Sequence, residues 1–389
     1  MDLKADFITR LNGGERMADL CREYGIARKT GYKVKKRYDE RGTPGLSELS
    51  RAPLHIPHKT PPEVAELLVA ARKQHPSWGP KKIKDVLERR LGRRLPTSST
   101  IGNLLVSRGL VERRKTRLRH RSTPTTLRQA SGPNDIWCVD YKGQFRLGDS
   151  SYCYPLTITD QFSRYILGCD GMAAISDEAA RDVFEEVFRA RGLPSAMRSD
   201  NGVPFASTGL AGLTKLSAYW MRLGIVLERI RPGKPQENGR HERMHRTLKR
   251  ETARPPRHNL LQQQQLFDAW VEEFNSERPH EALDMKRPAE VYASSPRRYP
   301  DALPELRYPT HDDVVTVGQS GLVYIAGLGQ AYVTAALASQ EVGIREEKDG
   351  RWLVTFAELD LGHVETNKKF TPMTSNHPEA NPVLPMCPV

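Results

Sequence analysis

The spacing of apolar residues changes along the chain and divides it into regions of different secondary structure. Within residues 5–40 and 62–110 the apolar positions recur every three or four residues, which is typical of short amphipathic helices. The predicted helices lie within residues 5–40, with a break at Gly25, and at 63–73, 81–91 and 98–107. From residue 134 the pattern changes to short apolar runs bounded by turn residues, which indicate strands.

The central region combines strands with amphipathic helices. Strands are predicted at residues 136–145, 152–159, 164–169, 196–199 and 225–230, and helices at 177–191, 212–223, 236–251 and 261–275. Ser176 is a suitable N-cap for the first of these helices, whose apolar side chains share one face. Three consecutive strands followed by alternating helices and strands predict a mixed five-stranded sheet with helices on both faces.

The C-terminal region returns to strands after a proline-containing linker at residues 296–309. Strands are predicted at 314–318, 323–326, 331–337 and 351–358, and their short length and turns indicate a small β-barrel. Residues 371–389 are rich in proline and are expected to be disordered. The predicted fold class is multidomain α+β, with domains at residues 1–44, 60–115, 130–295 and 310–365 ahead of that tail.

The basic charge is confined to the first third of the chain. The 389 residues include 60 Lys and Arg against 47 Asp and Glu, a net charge of +13. Residues 1–130 carry 30 basic and 13 acidic side chains, whereas residues 131–389 carry 30 and 34. A basic region joined to a nearly neutral body is typical of a DNA- or RNA-binding segment attached to a different functional domain.

Other features of the sequence exclude several classes of protein. No run approaches the roughly eighteen apolar residues of a transmembrane helix, and the N-terminal residues are too polar for a signal peptide. The five cysteines are scattered and form no C-x-x-C pair, so neither a disulfide framework nor a zinc ribbon is indicated. We therefore expect a cytoplasmic protein that associates with the nucleoid when it is bound to DNA.

The first helical segment has the pattern of a helix-turn-helix. A short helix ends at Gly25, and the basic helix that follows is able to enter the major groove of DNA. Four side chains at the start of this second helix are expected to contact DNA: Arg28, Lys29, Thr30 and Lys33. The alternative is a small helical bundle whose basic face is simply solvated.

A second helix-turn-helix, of the winged type, is predicted at residues 60–115. The N-terminal turn of its last helix carries three hydroxyl side chains that are expected to touch phosphates or bases: Ser98, Ser99 and Thr100. The connector that follows is strongly basic, and it includes Arg113, Arg114 and Lys115. Such a connector either tracks a phosphate backbone or is a solvated linker.

Three acidic residues are placed where they are able to converge in the central region. Asp140 lies in the first predicted strand, on the same face as Ile136 and Cys138. Asp200 ends the fourth strand, and Glu242 lies in the helix after the fifth. Three carboxylates at one edge of a sheet repel each other unless cations lie between them. Two Mg²⁺ or Mn²⁺ ions about four ångströms apart would neutralise them and act on a phosphodiester.

The segments around these acids together resemble the catalytic core of a known family. They are W-C-V-D-Y at 137–141, S-D-N-G at 199–202 and K-P-Q-E-N-G-R-H-E-R at 234–243. They are similar to the three motifs of the RNase H-like integrase core, which retroviral integrases share with bacterial insertion-sequence transposases. D-Q-F-S-R-Y at 160–165 and F-N-S-E-R-P-H at 274–280 resemble further stretches of the bacterial enzymes, so that the resemblance covers residues 130–295.

The resemblance implies roles for individual residues. It identifies Asp140, Asp200 and Glu242 as the catalytic, metal-binding triad. Glu237 competes with Glu242 for the third position, but it lies at the helix start, where an acid is also favoured by the helix dipole. Asp160 is interpreted as a cap of the turn before the third strand. Three arginines of the same helix would lie along DNA or else form an ordinary solvated face: Arg240, Arg243 and Arg246.

The activity that the resemblance implies is that of a DDE transposase. Such an enzyme binds terminal inverted repeats, cuts the strand to free a 3′-hydroxyl, and joins that hydroxyl to target DNA by two-metal phosphoryl transfer. The expected partners are double-stranded DNA, at the transposon ends and the target, and further copies of the chain in a dimer or higher oligomer. The expected cofactor is Mg²⁺ or Mn²⁺, with two ions bound.

Three other functions remain as alternatives. The first is a DNA-binding regulator with an inactive integrase-like core, and the second is an RNase H-like nuclease that cuts without joining. The third is a zinc metalloprotease, because residues 241–245 match its signature, H-E-x-x-H. The longer metzincin pattern is not met, since Leu248 and Glu251 occupy the positions of its Gly and His. A protease also leaves Asp140 and Asp200 unexplained.

Overall fold

The structure is a computed structural model that describes residues 3–48, 59–111, 127–232, 234–348 and 350–373. The chain divides into two units, Met1–Pro61 and Pro62–Val389, and each is considered by itself. None of the helices in these described ranges is long and apolar enough to cross a lipid bilayer.

The first unit is a bundle of three helices: α1 (Leu3–Asn12), α2 (Met17–Glu23) and α3 (Arg28–Arg41). Its buried core includes Phe7, Leu20 and Cys21. Gly25 turns the chain between α2 and α3 with a φ of 63°, which confirms the predicted break. The fold of this segment is that of the predicted helix-turn-helix.

The second unit begins with another three helices: α4 (Pro62–Gln74), α5 (Pro80–Leu91) and α6 (Ser98–Ser107). The N-terminus of α6 is capped by Thr97, whose side chain accepts a hydrogen bond from the amide of Thr100. The three helices agree closely with the sequence-based boundaries. Residues 59–111 contain no strand, and residues 112–115, which complete the proposed winged domain, lie outside the described ranges.

The central sheet has six strands: β1 (Ile136–Tyr141), β2 (Phe145–Arg146), β3 (Tyr152–Asp160), β4 (Ile166–Met172), β5 (Ala196–Ser199) and β6 (Val226–Arg229). Their order is β2-β3-β1-β5-β6, with β4 paired to β3. β1 is antiparallel to β3 and parallel to β5. The expectation of five strands was wrong by one, because a turn at Gly143, with a φ of 78°, separates β1 from β2.

Helices cover both faces of this sheet, as predicted: α7 (Asp177–Arg191), α8 (Lys215–Arg222), α9 (Gly239–Thr252), α10 (Leu260–Glu272) and α11 (Pro288–Val291). Trp137 and Val139 of β1 pack with Phe184 of α7 and Trp220 of α8. A second core joins Met244 of α9 and Phe267 of α10 to side chains of β3 and β4. Ser176 caps α7 by accepting a hydrogen bond from the amide of Ala179.

The α4–α6 helices dock on the segment that follows α10. Lys81 and Arg89 of α5 form ion pairs with Glu281, at 2.7 Å, and with Glu290, at 3.0 Å. His75 lies 2.9 Å from Glu273 through Nδ1. Basic side chains of α5 are therefore engaged by acids of the central region, whereas Ser99 and Thr100 in the first turn of α6 are exposed.

The C-terminal region is not a closed barrel, which corrects the sequence-based expectation. It has seven strands: β7 (Asp313–Thr316), β8 (Leu322–Ile325), β9 (Gly329–Tyr332), β10 (Glu341–Lys348), β11 (Arg351–Phe356), β12 (Leu359–Glu365) and β13 (Phe370–Pro372). They form an open five-stranded sheet, in the order β13-β12-β11-β10-β7, and a separate hairpin of β8 and β9.

Several strand assignments in this region also change. The predicted strand at 331–337 ends early, since Ala335–Leu337 forms a 3₁₀ turn. Three strands were not predicted, namely β10, whose outer half is a run of charged residues, β12 and β13. The tail expected to be disordered from residue 371 begins inside β13. The rest of that tail, residues 374–389, lies outside the described ranges.

Candidate functional site

The two aspartates of the candidate site come from neighbouring parallel strands. β1 and β5 are in register through the pairs Ile136–Ala196 and Cys138–Arg198. Asp140 and Asp200 each lie two residues beyond the last of these pairs. Because the two strands run in the same direction, this register brings both carboxylates to the same edge of the sheet.

The electrostatics of Asp140 depend on the other two predicted acids. Burial is the main cause that raises the pKa of Asp140 to about 8; the negative charges of Asp200 and Glu242 contribute to the same shift, and the positive charge of Lys142 opposes it. The pKa of Asp200 is also raised by burial, against the opposing effect of a hydrogen bond from the Gly202 amide. Asp200 and Glu242 thus both act on Asp140, against the positive charge of Lys142.

The donor set of these acids fits divalent cations of the hard type. Carboxylate oxygens are the ligands that Mg²⁺ prefers, and clustered carboxylates that raise one another's pKa are relieved by positive charge. Asp140 and Asp200 are partly buried, whereas Glu242 is exposed in the first turn of α9. Two candidate ligands on the sheet and one on the adjoining helix suit a site that opens towards a large substrate.

Glu237, the competitor for the third acid, is occupied elsewhere. Its carboxylate accepts hydrogen bonds from the Arg231 backbone amide at 2.8 Å and from Nε of Arg231 at 2.7 Å. Burial by itself raises the pKa of Glu237, but the two groups of Arg231 outweigh it and leave the pKa below its usual value. Glu237 therefore holds the loop before α9, which favours Glu242 as the free acid.

Asp160 has the structural role that the sequence suggested. Its carboxylate accepts hydrogen bonds from the amide and hydroxyl of Ser163, at 2.7 and 2.6 Å, and from the Asn134 amide at 2.7 Å. These bonds close the turn between β3 and β4. The interpretation of Asp160 as a turn cap is confirmed.

Two buried histidines of α9 lie against β3 beside Asp140. His241 and His245 are 2% and 3% exposed, and together with Asp140 they offer three ligand atoms within 4.8 Å of one another. Burial lowers the pKa of His241 to about 3 and that of His245 well below its usual value. Both imidazoles are therefore neutral at physiological pH, and each contacts the hydroxyl of Thr157.

The three arginines predicted on α9 are all exposed: Arg240, Arg243 and Arg246. Arg164, from the turn before β4, lies in the same neighbourhood. Burial lowers its pKa to about 10, and the positive charges of Arg240 and Arg243 contribute to the same shift. The positive charges of these guanidinium groups repel one another, and their concentration at the start of α9 suits a phosphate backbone.

The residues predicted in the helix-turn-helix segments are mostly accessible. Arg28, Lys29, Thr30 and Lys33 are exposed at the start of α3. Ser99 and Thr100 are exposed in the first turn of α6, while Ser98 is half-buried. The basic connector residues Arg113, Arg114 and Lys115 lie outside the described ranges.

The motif at residues 274–280 stabilises the fold around the site. Both polar atoms of the Asn275 amide bond the backbone of Ile166 in β4, each at 2.9 Å. Arg278 is buried and pairs with Glu251 near the end of α9 at 3.3 Å. These contacts join α9 and the end of α10 to the edge strand of the sheet.

Sequence reasoning missed three buried polar residues next to the site. Thr157 and Thr159 lie on one face of β3, and their i, i+2 spacing within an apolar strand is the signal that could have revealed them. Arg198, in β5, is 1% exposed and forms a 2.6 Å ion pair with Glu228 of β6. A basic residue inside a short buried strand predicts such a partner.

Comparisons with known proteins agree with this architecture. Residues 130–235 and 223–288 match families described as integrase core domains, and residues 30–105 match a homeodomain-like domain. The insertion element IS136 uncharacterized protein of Agrobacterium tumefaciens is 30% identical over 164 residues, which cover 39% of this chain and 79% of that protein. The insertion element IS407 uncharacterized 31.7 kDa protein of Burkholderia multivorans is 27% identical over 273 residues, or 69% and 95% of the two chains.

Among solved structures, a similar chain comes from the simian T-cell lymphotropic virus intasome in complex with the PP2A regulatory subunit B56 gamma. The match covers 76% of this chain and 97% of that chain, at 17% identity and a TM-score of 0.38.

The family assignment rests on the integrase core matches and on the relatives from insertion elements. The chain belongs to the insertion-element transposases that carry an integrase core and a helix-turn-helix DNA-binding region.

Proposed function

We propose that this transposase binds the terminal inverted repeats of its element, cuts the DNA strand to free a 3′-hydroxyl, and joins that hydroxyl to target DNA. The observation that carries the proposal is the placement of Asp140 and Asp200 at one edge of parallel strands, with the charge of Glu242 acting on Asp140. No nucleophile with an adjacent base is required, because water and then the DNA hydroxyl attack the phosphorus.

Asp140, Asp200 and Glu242 would hold two Mg²⁺ or Mn²⁺ ions. When bound, such ions stabilise negative charge on the phosphate and favour deprotonation of the attacking hydroxyl. The chain's own contribution is to fix the carboxylates. Asp140 is set by the β1–β3 ladder, and Asp200 is held by the Gly202 amide at 3.0 Å.

Recognition of the DNA ends is assigned to the helical segments. In the first unit, α3 presents Arg28, Lys29, Thr30 and Lys33 to solvent, and in the second, α6 presents Ser99 and Thr100. The exposed arginines of α9 would bind phosphates close to the acids, so that the scissile strand is held across the site. Two ends have to be brought together for joining, and we therefore expect a dimer or a higher oligomer on DNA.

The zinc-protease alternative has little support in the structure. In a metalloprotease both histidines of H-E-x-x-H bind zinc at an open site, and the glutamate activates a water molecule. Here His241 and His245 are buried and contact threonine hydroxyls, whereas Glu242 is exposed to solvent. The helix therefore turns its histidines towards the sheet and its acid outwards.

The decisive experiment is a strand-transfer assay. Purified protein is incubated with Mg²⁺, labelled DNA that carries the element's ends, and an unlabelled plasmid. Joined products are expected for the natural protein, and Asp200→Asn should abolish both cutting and joining while leaving DNA binding intact. Asp149→Asn, at an exposed turn, is the matched control and should be fully active.

The same assay separates the alternatives. Cutting without joining would identify a nuclease, and end binding without either reaction would identify a regulator with an inactive core. Unchanged activity of Asp200→Asn would refute the assignment of the acids.

A further inference from the structure

A continuous set of short polar contacts runs from β3 through α9 to Asp140. Thr157 Oγ1 lies 2.8 Å from Nε2 of His241 and 2.6 Å from Nε2 of His245. Thr159 Oγ1 lies 2.8 Å from Nδ1 of His241. At the other end, Nδ1 of His245 lies 3.5 Å from Oδ2 of Asp140. Each ring nitrogen of the two histidines therefore faces a polar atom of the protein.

The number of protons restricts how these contacts are made. Thr157 has one hydroxyl proton but three polar neighbours, namely the two Nε2 atoms and the backbone oxygen of Asp140 at 3.0 Å. A neutral imidazole donates from one nitrogen and accepts at the other. The acceptor of the Thr157 hydroxyl proton thus determines which nitrogen of His245 carries a proton.

Only one acceptor of the Thr157 hydroxyl proton is compatible with an ionised Asp140. If Thr157 donates to its backbone neighbour or to His241, His245 has to donate from Nε2. The lone pair of its Nδ1 then faces the Asp140 carboxylate, which is repulsive. If Thr157 donates to His245, then His245 carries its proton on Nδ1 and points it at Asp140. His241 is then free to donate from Nε2 to Thr157 and to accept from Thr159.

We propose that these four residues form a one-directional hydrogen-bond chain that positions the Asp140 carboxylate for cation binding: Thr159, His241, Thr157 and His245. The chain holds two neighbouring histidines in opposite tautomers, His241 with its proton on Nε2 and His245 with its proton on Nδ1. All four are positioning residues, since they act through Asp140. This inference rests on the proposed function, because it assigns a purpose to the ionised, cation-binding form of Asp140.

The geometry favours this chain over a metal ion bound by Asp140, His241 and His245. The Thr157 hydroxyl lies within hydrogen-bond distance of both Nε2 atoms, at the place that an ion bound to both would take. Neutral histidines buried beside a carboxylate are suited to orient it by a directed N–H group. The hydrogen-bond chain holds the Asp140 carboxylate from one side and leaves its other side for the cations.

The test is a direct measurement of the two tautomers. The full-length protein is labelled with ring-¹⁵N histidine and studied with Mg²⁺ by long-range ¹H–¹⁵N correlation, and His241→Gln and His245→Gln identify the two sets of signals. We expect the Nε2–H tautomer for His241 and the Nδ1–H tautomer for His245. The same tautomer in both rings, or a doubly protonated ring, would overturn the proposal, and so would shifts of both rings on stoichiometric Zn²⁺ binding.

A variant series measures the consequence for cation binding. Thr157→Val keeps the shape of the side chain but removes the hydroxyl, and it should weaken Mn²⁺ binding about 10-fold or more, as loss of a partner of a ligand does in other metal sites. Thr157→Ser should restore the affinity. Thr252→Val is the matched control, since Thr252 is 1% exposed and its hydroxyl donates to the Leu248 carbonyl of its own helix.

Equal Mn²⁺ affinity in Thr157→Val and the natural protein would contradict the positioning role. Absence of Mn²⁺ binding to the natural protein would count against the proposed function instead, and the tautomer measurement would still decide whether the chain exists.

Discussion

The amide of Gly202 donates a hydrogen bond to Oδ1 of Asp200 at 3.0 Å, and the two residues are packed so closely that a methyl group at Gly202 would lie 3.1 Å from Oδ2. The turn after β5 thus holds the Asp200 carboxylate of the candidate site in place through this hydrogen bond. This contact is sensitive to a single methyl group because such a distance is shorter than ordinary van der Waals contact.

Gly202→Ala should displace the Asp200 carboxylate and weaken Mn²⁺ binding by about 10-fold, without a large effect on stability. Calorimetric titration of the full chain with Mn²⁺ measures the change. Gly132→Ala is the control, because a methyl group there meets no atom within 4 Å. An unaltered affinity in Gly202→Ala would show that the carboxylate is free to move aside.

Gly31→Ala should loosen the first unit. A methyl group at Gly31 would lie 2.6 Å from Sγ of Cys21 and 2.7 Å from Sδ of Met17, so that α3 has to move away from α2. Overpacking of this kind destabilises by about 1–3 kcal/mol. Hydrogen exchange of peptides from α2 and α3 in the full chain should become faster, and Cys21→Ala in the same chain should restore part of the protection. Equal exchange in Gly31→Ala and the natural chain would contradict the close crossing.

Lys82 should make the stability of the second unit depend on pH. Burial, with the positive charge of Arg278, lowers the pKa of Lys82 to about 7 in the folded protein, from an ordinary value of 10.5. Between these values the unfolded chain binds one more proton than the folded chain, so the free energy of unfolding rises with pH across this range. Below pH 7 the folded protein carries the full penalty of a buried charge.

Lys82→Met should therefore stabilise the protein at pH 6 by at least about 1.4 kcal/mol, the equivalent of one pKa unit, and the gain should shrink as the pH approaches 10. Denaturant unfolding at several pH values measures it. Lys81→Met, which removes an exposed lysine paired with Glu281, should show no such trend. A gain that stays constant with pH would mean that Lys82 titrates normally.

The Arg198–Glu228 pair should be important for the stability of the central sheet. Glu228→Leu leaves the guanidinium of Arg198 buried without its partner, and breaking a buried pair in this way costs about 3–5 kcal/mol. Urea unfolding, followed by the fluorescence of the buried Trp137 and Trp220, measures the loss. The added change Arg198→Met should recover much of it. Glu40→Gln breaks an exposed pair with Lys36 and is the control, with an expected effect below about 0.5 kcal/mol.

Arg243→Ala should weaken DNA binding uniformly across sequences. A phosphate contact releases condensed counterions, so its loss should reduce the slope of log affinity against log salt by about one unit. Binding of end-containing and unrelated duplexes at several salt concentrations measures the slope. Arg181→Ala, on the exposed surface of α7, should leave the slope unchanged. A loss restricted to end-containing DNA would indicate that Arg243 reads bases.

Much of the architecture could be predicted because it depends on local pattern. The boundaries of α6 and α7 and the cap at Ser176 follow from apolar spacing and capping chemistry, both of which act within a few residues. The C-terminal barrel was not predictable in the same way. Short strands can be recognised one by one, but whether the first and last strands pair is decided by contacts across the whole sheet.

The sequence by itself determined the types of secondary structure, the basic front of the chain, and the resemblance that singled out Asp140, Asp200 and Glu242. Only the tertiary structure decided which polar residues surround them. It showed that Glu237 is held by Arg231 and that the H-E-x-x-H histidines turn towards Thr157. Periodicity specifies the face on which a side chain lies, whereas its partner there depends on how distant strands and helices are brought together in the folded chain.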